Sequence, residues 1–361
     1  MTQRERQILK WIEENRLISQ QELADKAGIT RSSAAVHISN LMKQGHIAGK
    51  GYIVRTEPYV VVAGGVNVDI GGRSSQPLVP ADSNPGRVRM SLGGVGRNIA
   101  HNLVLLGADV RLFTAFGEDM NAGRIAESCR ELGIDISQCL TVPGAATSTY
   151  LFLSDEKGDM ALAVSDMEIY EHMTPAFLAS RARLLQNARL VVVDANLPAE
   201  SIAWLADNLR VPLFADPVST AKAEKLRGVL GRLHTLKPNR LEAQLLSGVS
   251  ITDQKSLDAA AAALLDTGLQ RVFISLGSEG MYAADHTGRC HVPCLPGTMV
   301  NTTGCGDAAM AAIAWCHLEE AGLEDTARLA MAAGAIAMES AETINPDLSA
   351  RALRQRAAQS L

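Results

Sequence analysis

From Tyr59 onward, short unbroken apolar runs alternate with amphipathic stretches, and that alternation decides what the chain can fold into. The runs YVVVAGG, VRLFTAFG, RLVVVDA, VPLFADP, HTLKP and RVFISLG read as strands, the apolar ones buried on both faces. Helical periodicity falls between them, near residues 97–107, 120–132, 199–209, 239–247 and 255–267. The pattern predicts an α/β domain: a doubly wound, mostly parallel sheet with helices on both faces. Such sheets bind ligands beyond the carboxyl ends of their strands, where several polar motifs of this chain fall.

Two stretches break the alternation. Residues 73–91 and 147–165 hold short strand-like runs separated by turns. They predict a small antiparallel flap beside the sheet, suited to exclude water from a site below it.

The first 58 residues follow another pattern. Ile8, Leu9, Trp11 and Ile12 form one helical stripe, with Arg4, Glu5, Glu13 and Glu14 expected outside it. Ser19 with Glu22 makes a capping box for a second helix that stops at Gly28. Thr30 caps a third, in which Ala34, Ile38 and Leu41 face inward. The sequence GHIAGKGYIV then reads as a hairpin around Gly49-Lys50-Gly51. This order resembles the winged helix-turn-helix of bacterial transcriptional regulators. The resemblance implies that Arg31, Ser32, Ser33 and His37 face a DNA groove and that Lys50 meets phosphate. The same pattern also suits a small helical module for dimer contacts or for packing on the larger domain. Pro58 marks the expected boundary between a domain at 1–57 and one at 59–357.

Charge is distributed to match. The chain of 361 residues has a formal net charge of −5, with +3 on residues 1–58 and −8 on the rest. The body therefore gives no electrostatic reason to bind DNA or anionic membranes, whereas the head does so mildly. The start, MTQRERQILKWIEEN, is charged and amphipathic rather than signal-like, so a cytoplasmic protein without membrane contact is expected. The six cysteines form no CxxC pair, and Cys290 and Cys294 with His286 and His291 fit no common zinc spacing.

Chemistry concentrates in two motifs. In Asn301-Thr302-Thr303-Gly304-Cys305-Gly306-Asp307 a Gly-x-Gly turn opens a long helix, aiming unpaired amides and the positive helix end at one point. That suits a phosphate, with Asp307 expected close enough to take a proton from an attacking hydroxyl, although the same residues are also good helix N-cap chemistry. In Ser91-Leu92-Gly93-Gly94-Val95-Gly96-Arg97-Asn98, close backbone approach at the glycines with Asn98 at a helix start suits a polyhydroxylated ligand. The loop differs from a dinucleotide fingerprint, and no GxxxxGK[ST] P-loop occurs.

Together these motifs resemble the PfkB, or ribokinase-like, carbohydrate and nucleoside kinases over residues 59–357. The resemblance implies a ribokinase-like fold with a small β lid, ATP as phosphoryl donor and Mg²⁺. It places Asn67, Asp69, Gly93, Gly94 and Asn98 on the substrate. Asp307 becomes the catalytic base, with Gly304, Cys305 and Gly306 as the anion-binding turn. Asn239, Ser275, Gly277 and Gly280 match nucleotide-binding positions, and Glu242 of the NxxE motif assists the metal, through water. A homodimer is expected.

The stretches ADSNPG (81–86), GGVGRNIA (93–100), HTLKPNRLEA (234–243) and NPDLS (345–349) resemble bacterial pseudouridine kinases of that family. This implies phosphorylation of a nucleoside 5′-hydroxyl, with Ser83 and Asn84 suited to a uracil edge or simply turning the chain. Ribose, fructose, inosine and adenosine are the alternative acceptors, and a nucleoside-sensing regulator on a kinase fold is the alternative role. Two positions depart from the family pattern. Asn301 replaces an Asp that helps relatives bind a monovalent cation, so potassium dependence stays open. Cys305 replaces an Ala, and a thiol beside an anion site is expected to have a lowered pKa and oxidise readily.

Overall fold

The computed structural model describes residues 1–49 and 58–360. The chain divides into two compact units, residues 1–58 with 183–187, and residues 59–182 with 188–361.

In the first unit, helices Gln3–Glu14, Gln20–Ala27 and Arg31–Lys43 open on Thr2, Ser19 and Thr30, whose hydroxyls accept the amides of Glu5, Glu22 and Ser33. Gly28 closes the second helix in the left-handed region, at φ 63°. Ile8, Leu9, Ile12, Leu23, Ile38 and Leu41 meet in one core. Glu5 departs from expectation. It is buried rather than outward, because its carboxylate turns back to accept the Thr2 amide at 2.6 Å in a capping box. Helical periodicity does not register such a cap. Arg31, Ser32 and Ser33 are exposed at the start of the third helix and His37 is half-buried. The hairpin expected around Lys50 lies largely outside the described residues.

The second unit carries fourteen strands among the described residues. In chain order they are β1 (Tyr59–Ala63), β2 (Asn67–Ser74), β3 (Gly86–Gly93), β4 (Asp109–Phe113), β5 (Ala115–Phe116), β6 (Leu140–Thr141) and β7 (Thr149–Ser154). There follow β8 (Met160–Asp166), β9 (Leu190–Asp194), β10 (Leu213–Asp216), β11 (Thr235–Leu236), β12 (Arg271–Ser275), β13 (Met281–Asp285) and β14 (Gly288–Val292). The main sheet has the order β14-β13-β12-β11-β10-β9-β1-β4. It is parallel from β12 through β4, and the β13–β14 hairpin closes one edge antiparallel. β1, β9 and β10 are buried at every position, as strands covered on both faces must be.

Helix Cys305–Leu318 packs against this sheet and against Val95–Leu105 and Leu323–Met338. Its residues Ala308–Cys316 are all buried. An Ala-rich helix apolar all round can be enclosed by neighbours, which makes its amino end a fixed point.

The flap is a four-stranded sheet, β3-β2-β7-β8. It is mixed rather than antiparallel throughout, since β2 and β7 run parallel while β2–β3 and β7–β8 are antiparallel. The two contributing segments lie far apart in sequence, and their relative direction is set by the long connection between them, not by local pattern. β2 starts at Asn67, six residues before the expected flap, so the strand carries Asp69 as well.

Candidate active site

Every parallel strand of the main sheet ends at the same edge, and the polar motifs collect there. After β1 the chain turns through Gly64–Val66, pinned by Tyr170, whose hydroxyl accepts the Val66 amide at 2.7 Å and donates to the Val66 carbonyl. β2 then presents Asn67 and Asp69. The Asn67 side-chain amide donates to the Asp69 carboxylate. A side chain at position 93 would displace Asp69, because a methyl group on Gly93 would stand 2.2 Å from Asp69 Oδ2. Gly94 follows at φ 96°, a left-handed conformation glycine adopts without strain, and turns the chain into helix Val95–Leu105.

The first turn of that helix holds Asn98, which donates to Asp307 Oδ2 at 2.8 Å. The two motifs singled out in the sequence therefore meet side chain to side chain. Among the described residues Asn98 Oδ1 is buried and accepts no hydrogen bond, which leaves an acceptor unused at this point.

Asp307 lies in the first turn of Cys305–Leu318, after a turn whose Gly304 has φ 85° and backs onto the Thr343 carbonyl. A methyl at Gly304 would lie 2.2 Å from that oxygen. Helix geometry leaves the first amides unpaired, although the Cys305 amide leans toward Thr302 O at 3.4 Å. Burial pushes the Asp307 carboxyl up to about 8, and the nearby Asp216 adds to this, while Asn98 and Lys237 pull it down. Burial also pushes Asp69 up to about 6, opposed by Asn67 and Arg97. The Cys305 thiol is pushed up, not down as expected. Burial is the main cause, and the nearby Asp307 adds to it.

Lys237-Pro238-Asn239 follows β11. Asn239 caps helix Arg240–Ser247 through a reciprocal box with Glu242, whose carboxylate accepts the Asn239 amide at 2.8 Å. Ser275, at the end of β12, bridges to Asn239 and donates its amide to Pro238 O at 2.9 Å. Gly277 and Gly280 shape the next turn at φ 63° and 97°. Arg240 pairs with Glu279 at 2.6 Å, tying this loop to the capped helix. The expected nucleotide positions thus sit side by side, linked to Asp307 through Lys237, while Arg31, Ser32, Ser33 and His37 belong to the other unit.

Two groups at the strand ends escaped the sequence reading, and a third, Lys237, entered it only as the first residue of the NxxE stretch. Asp194 ends β9, Asp216 ends β10, and Lys237 follows β11, paired to Asp216 at 3.1 Å. The signal was present as apolar runs closed by one charge, VVVD and LFAD. Asn84 uses both ends within its own loop, accepting the Val79 amide and donating to Val79 O and Asp82 O, bonds that suit the turn-forming reading.

The pfkB family carbohydrate kinase model matches residues 57–351, and a winged helix-turn-helix DNA-binding model matches residues 1–47. The chain belongs to the PfkB family and is a phosphotransferase with an alcohol group as acceptor, a sugar or nucleoside kinase with a ribokinase-like fold. It is 40% identical to the "Uncharacterized sugar kinase YeiI" of Escherichia coli K12 over 97% of both chains. It is also 40% identical to a pseudouridine kinase of the same organism, over 82% of this chain and 95% of that one. A carbohydrate kinase from Agrobacterium tumefaciens superposes with a TM-score of 0.74 at 27% identity, covering 84% of this chain and 97% of its own. No helix among the described residues is long and apolar enough to cross a membrane.

Proposed function

We propose that the chain transfers the γ-phosphoryl group of ATP to the 5′-hydroxyl of pseudouridine, forming pseudouridine 5′-phosphate. The observation that carries this is the Asn98–Asp307 contact, which puts a carboxylate at the amino end of a buried helix beside a polar, glycine-shaped loop. The likeness to a pseudouridine kinase along most of the chain favours that acceptor.

Asn67, Asp69, Gly93, Gly94 and Asn98 hold the ribose, since positioning is the main lever in phosphoryl transfer. Asp307 accepts the proton of the attacking hydroxyl. The amides of Gly304, Cys305 and Gly306 stabilise charge on the transferring group. Asn239, Ser275, Gly277 and Gly280 take the nucleotide.

Mg²⁺ belongs to this proposal as an ion held by one or two carboxylates together with phosphates rather than by a cage of protein ligands. Glu242, buried beside the Lys237–Asp216 pair, would help hold it through water. When bound, the ion neutralises charge on the phosphates. Asn301 has both ends of its amide on the backbone, at Thr303 N and Ala341 O, and offers no carboxylate to potassium. Activity compared with and without potassium tests whether the ion is needed.

Assay with ATP against pseudouridine, uridine, inosine, adenosine, ribose and fructose tests the acceptor. A kcat/KM highest for ribose or fructose would replace the nucleoside assignment, and no turnover with any of them would favour a sensor.

Two further properties belong to the same proposal. The exposed Arg31, Ser32 and Ser33 at the start of a capped helix support DNA binding by the first unit, with phosphate contacts that weaken as salt rises. A mobility shift with DNA from upstream of its own coding sequence, at low and high salt, tests it. The outer face of the lid supports a homodimer. Met90, Ile70, Leu151 and Val164 form one cross-strand row there, with Val88, Leu153 and Leu162 beside it, nearly all exposed. Light scattering reads the mass directly.

A further inference from the structure

The strand ends next to Asp307 carry charges that the transfer described above leaves without a task. Asp194 and Asp216 are register partners on adjacent parallel strands. With Lys237 they are all buried, at 1%, 5% and 5% exposure. Carboxylates this close in an interior destabilise one another unless hydrogen bonds or a positive charge offset them. Asp194 takes the amides of Gly65 at 2.7 Å and Asn196 at 2.9 Å. Asp216 accepts the Val218 amide at 2.9 Å and pairs with Lys237 at 3.1 Å. The ammonium also lies against the first turn of helix Cys305–Leu318, because a methyl group built on Gly306 would stand 3.5 Å from Lys237 Nζ. That places it beside the residue that precedes Asp307.

We propose that Lys237, held by Asp216, is a positioning residue for the base: its buried ammonium offsets the carboxylates of the strand ends so that Asp307 can stand among them ionised. This rests on Asp307 being the base. The charged groups facing Asp307 are Asp216 from β10, Asp194 from β9 and Lys237 after β11, with Cys305 on its own helix and the neutral Asn98 opposite. Glu242 faces Lys237 from helix Arg240–Ser247. The ammonium is held in place by the Asp216 carboxylate at 3.1 Å. Asp216 and Lys237 act on Asp307 in opposite directions, the first raising and the second lowering its proton affinity.

Opposite directions make the test sharp. In the full chain, the acidic limb of kcat/KM against pH should move up by about one unit in Lys237→Met and down in Asp216→Asn, the scale of a nearby charge on a carboxylate. Lys237→Arg, which keeps the charge, should hold the wild-type limb. The same shifts should appear in the ¹³C titration of the Asp307 carboxyl in the ligand-free protein, its signal assigned by its loss in Asp307→Asn. Should Lys237→Met not fold, Asp216→Asn and Lys237→Arg remain, and a downward limb beside an unmoved one supports the assignment. Variants that lose activity at every pH while the carboxyl titrates as in wild type would overturn it, as would limbs that move the same way. Full activity in Asp307→Asn would instead refute the base, and the carboxyl titration would still decide what Lys237 does.

Discussion

Asn98 and Asp307, 209 positions apart in sequence, are joined by one hydrogen bond of 2.8 Å. Asn98 opens one helix at the lid and Asp307 opens another on the main sheet, so the bond connects the expected acceptor site to the expected base. Asn98→Ala removes a donor to a charged group, worth about 1.5–3 kcal/mol. We expect kcat to fall roughly 10- to 100-fold with little change in the KM for ATP. Steady-state kinetics with both substrates varied checks this.

The Gly93 position is tuned to one neighbour. Gly93→Ala drives a methyl into Asp69, and a misplacement of this kind near a reacting group costs up to about 10²-fold. The KM for the nucleoside should rise at least about tenfold while that for ATP holds. Equal effects on both would show that Asp69 does not serve the acceptor.

Burial lifts Asp307 from the ordinary 3.8 to about 8, with Asp216 assisting, so the folded protein binds this proton more tightly than the unfolded chain does. The associated stability is complete below about pH 4 and is lost as pH rises toward 8. The free enzyme should gain kcat/KM as pH rises through about 8, because only the ionised carboxylate accepts a proton. Asp307→Asn should therefore gain Tm over wild type from pH 5 to pH 8.5, read by calorimetry. A Tm difference independent of pH would contradict the buried, proton-hungry carboxyl.

The caps of the first unit are local and additive. Ser19→Ala and Thr30→Ala each remove a hydroxyl that accepts a helix amide, costing about 1 kcal/mol apiece. Urea denaturation should show both losses, and the double variant should show their sum.

Much of this architecture was legible in the residues, for reasons that also mark where legibility stops. Runs such as YVVVA and LVVVD can only be buried strands, and Ser19 with Glu22 can hardly be anything but a cap. The glycines of the early motif announced close approach, whereas nothing in the sequence said that Asn98 would donate to Asp307. Direction and partner were not legible. Nothing local to β2 or β7 says that they pair parallel. Nothing in the string LFADP says that Asp216 will find Lys237, since single charges closing apolar runs gain meaning only once neighbouring strands are aligned. Cys305 shows a further limit: its helix-end position argued for a lowered thiol pKa, whereas burial and the neighbouring Asp307 push it up.

The most direct measurement is the turnover number of Asp307→Asn with ATP and pseudouridine, in protein shown to be folded by its thermal transition. A positioned base contributes about 10²–10⁴-fold, and a loss of that size at unchanged substrate KM is the predicted result. Turnover within a few fold of wild type would contradict the account, because the carboxylate at the head of that helix would then have no part in moving the proton.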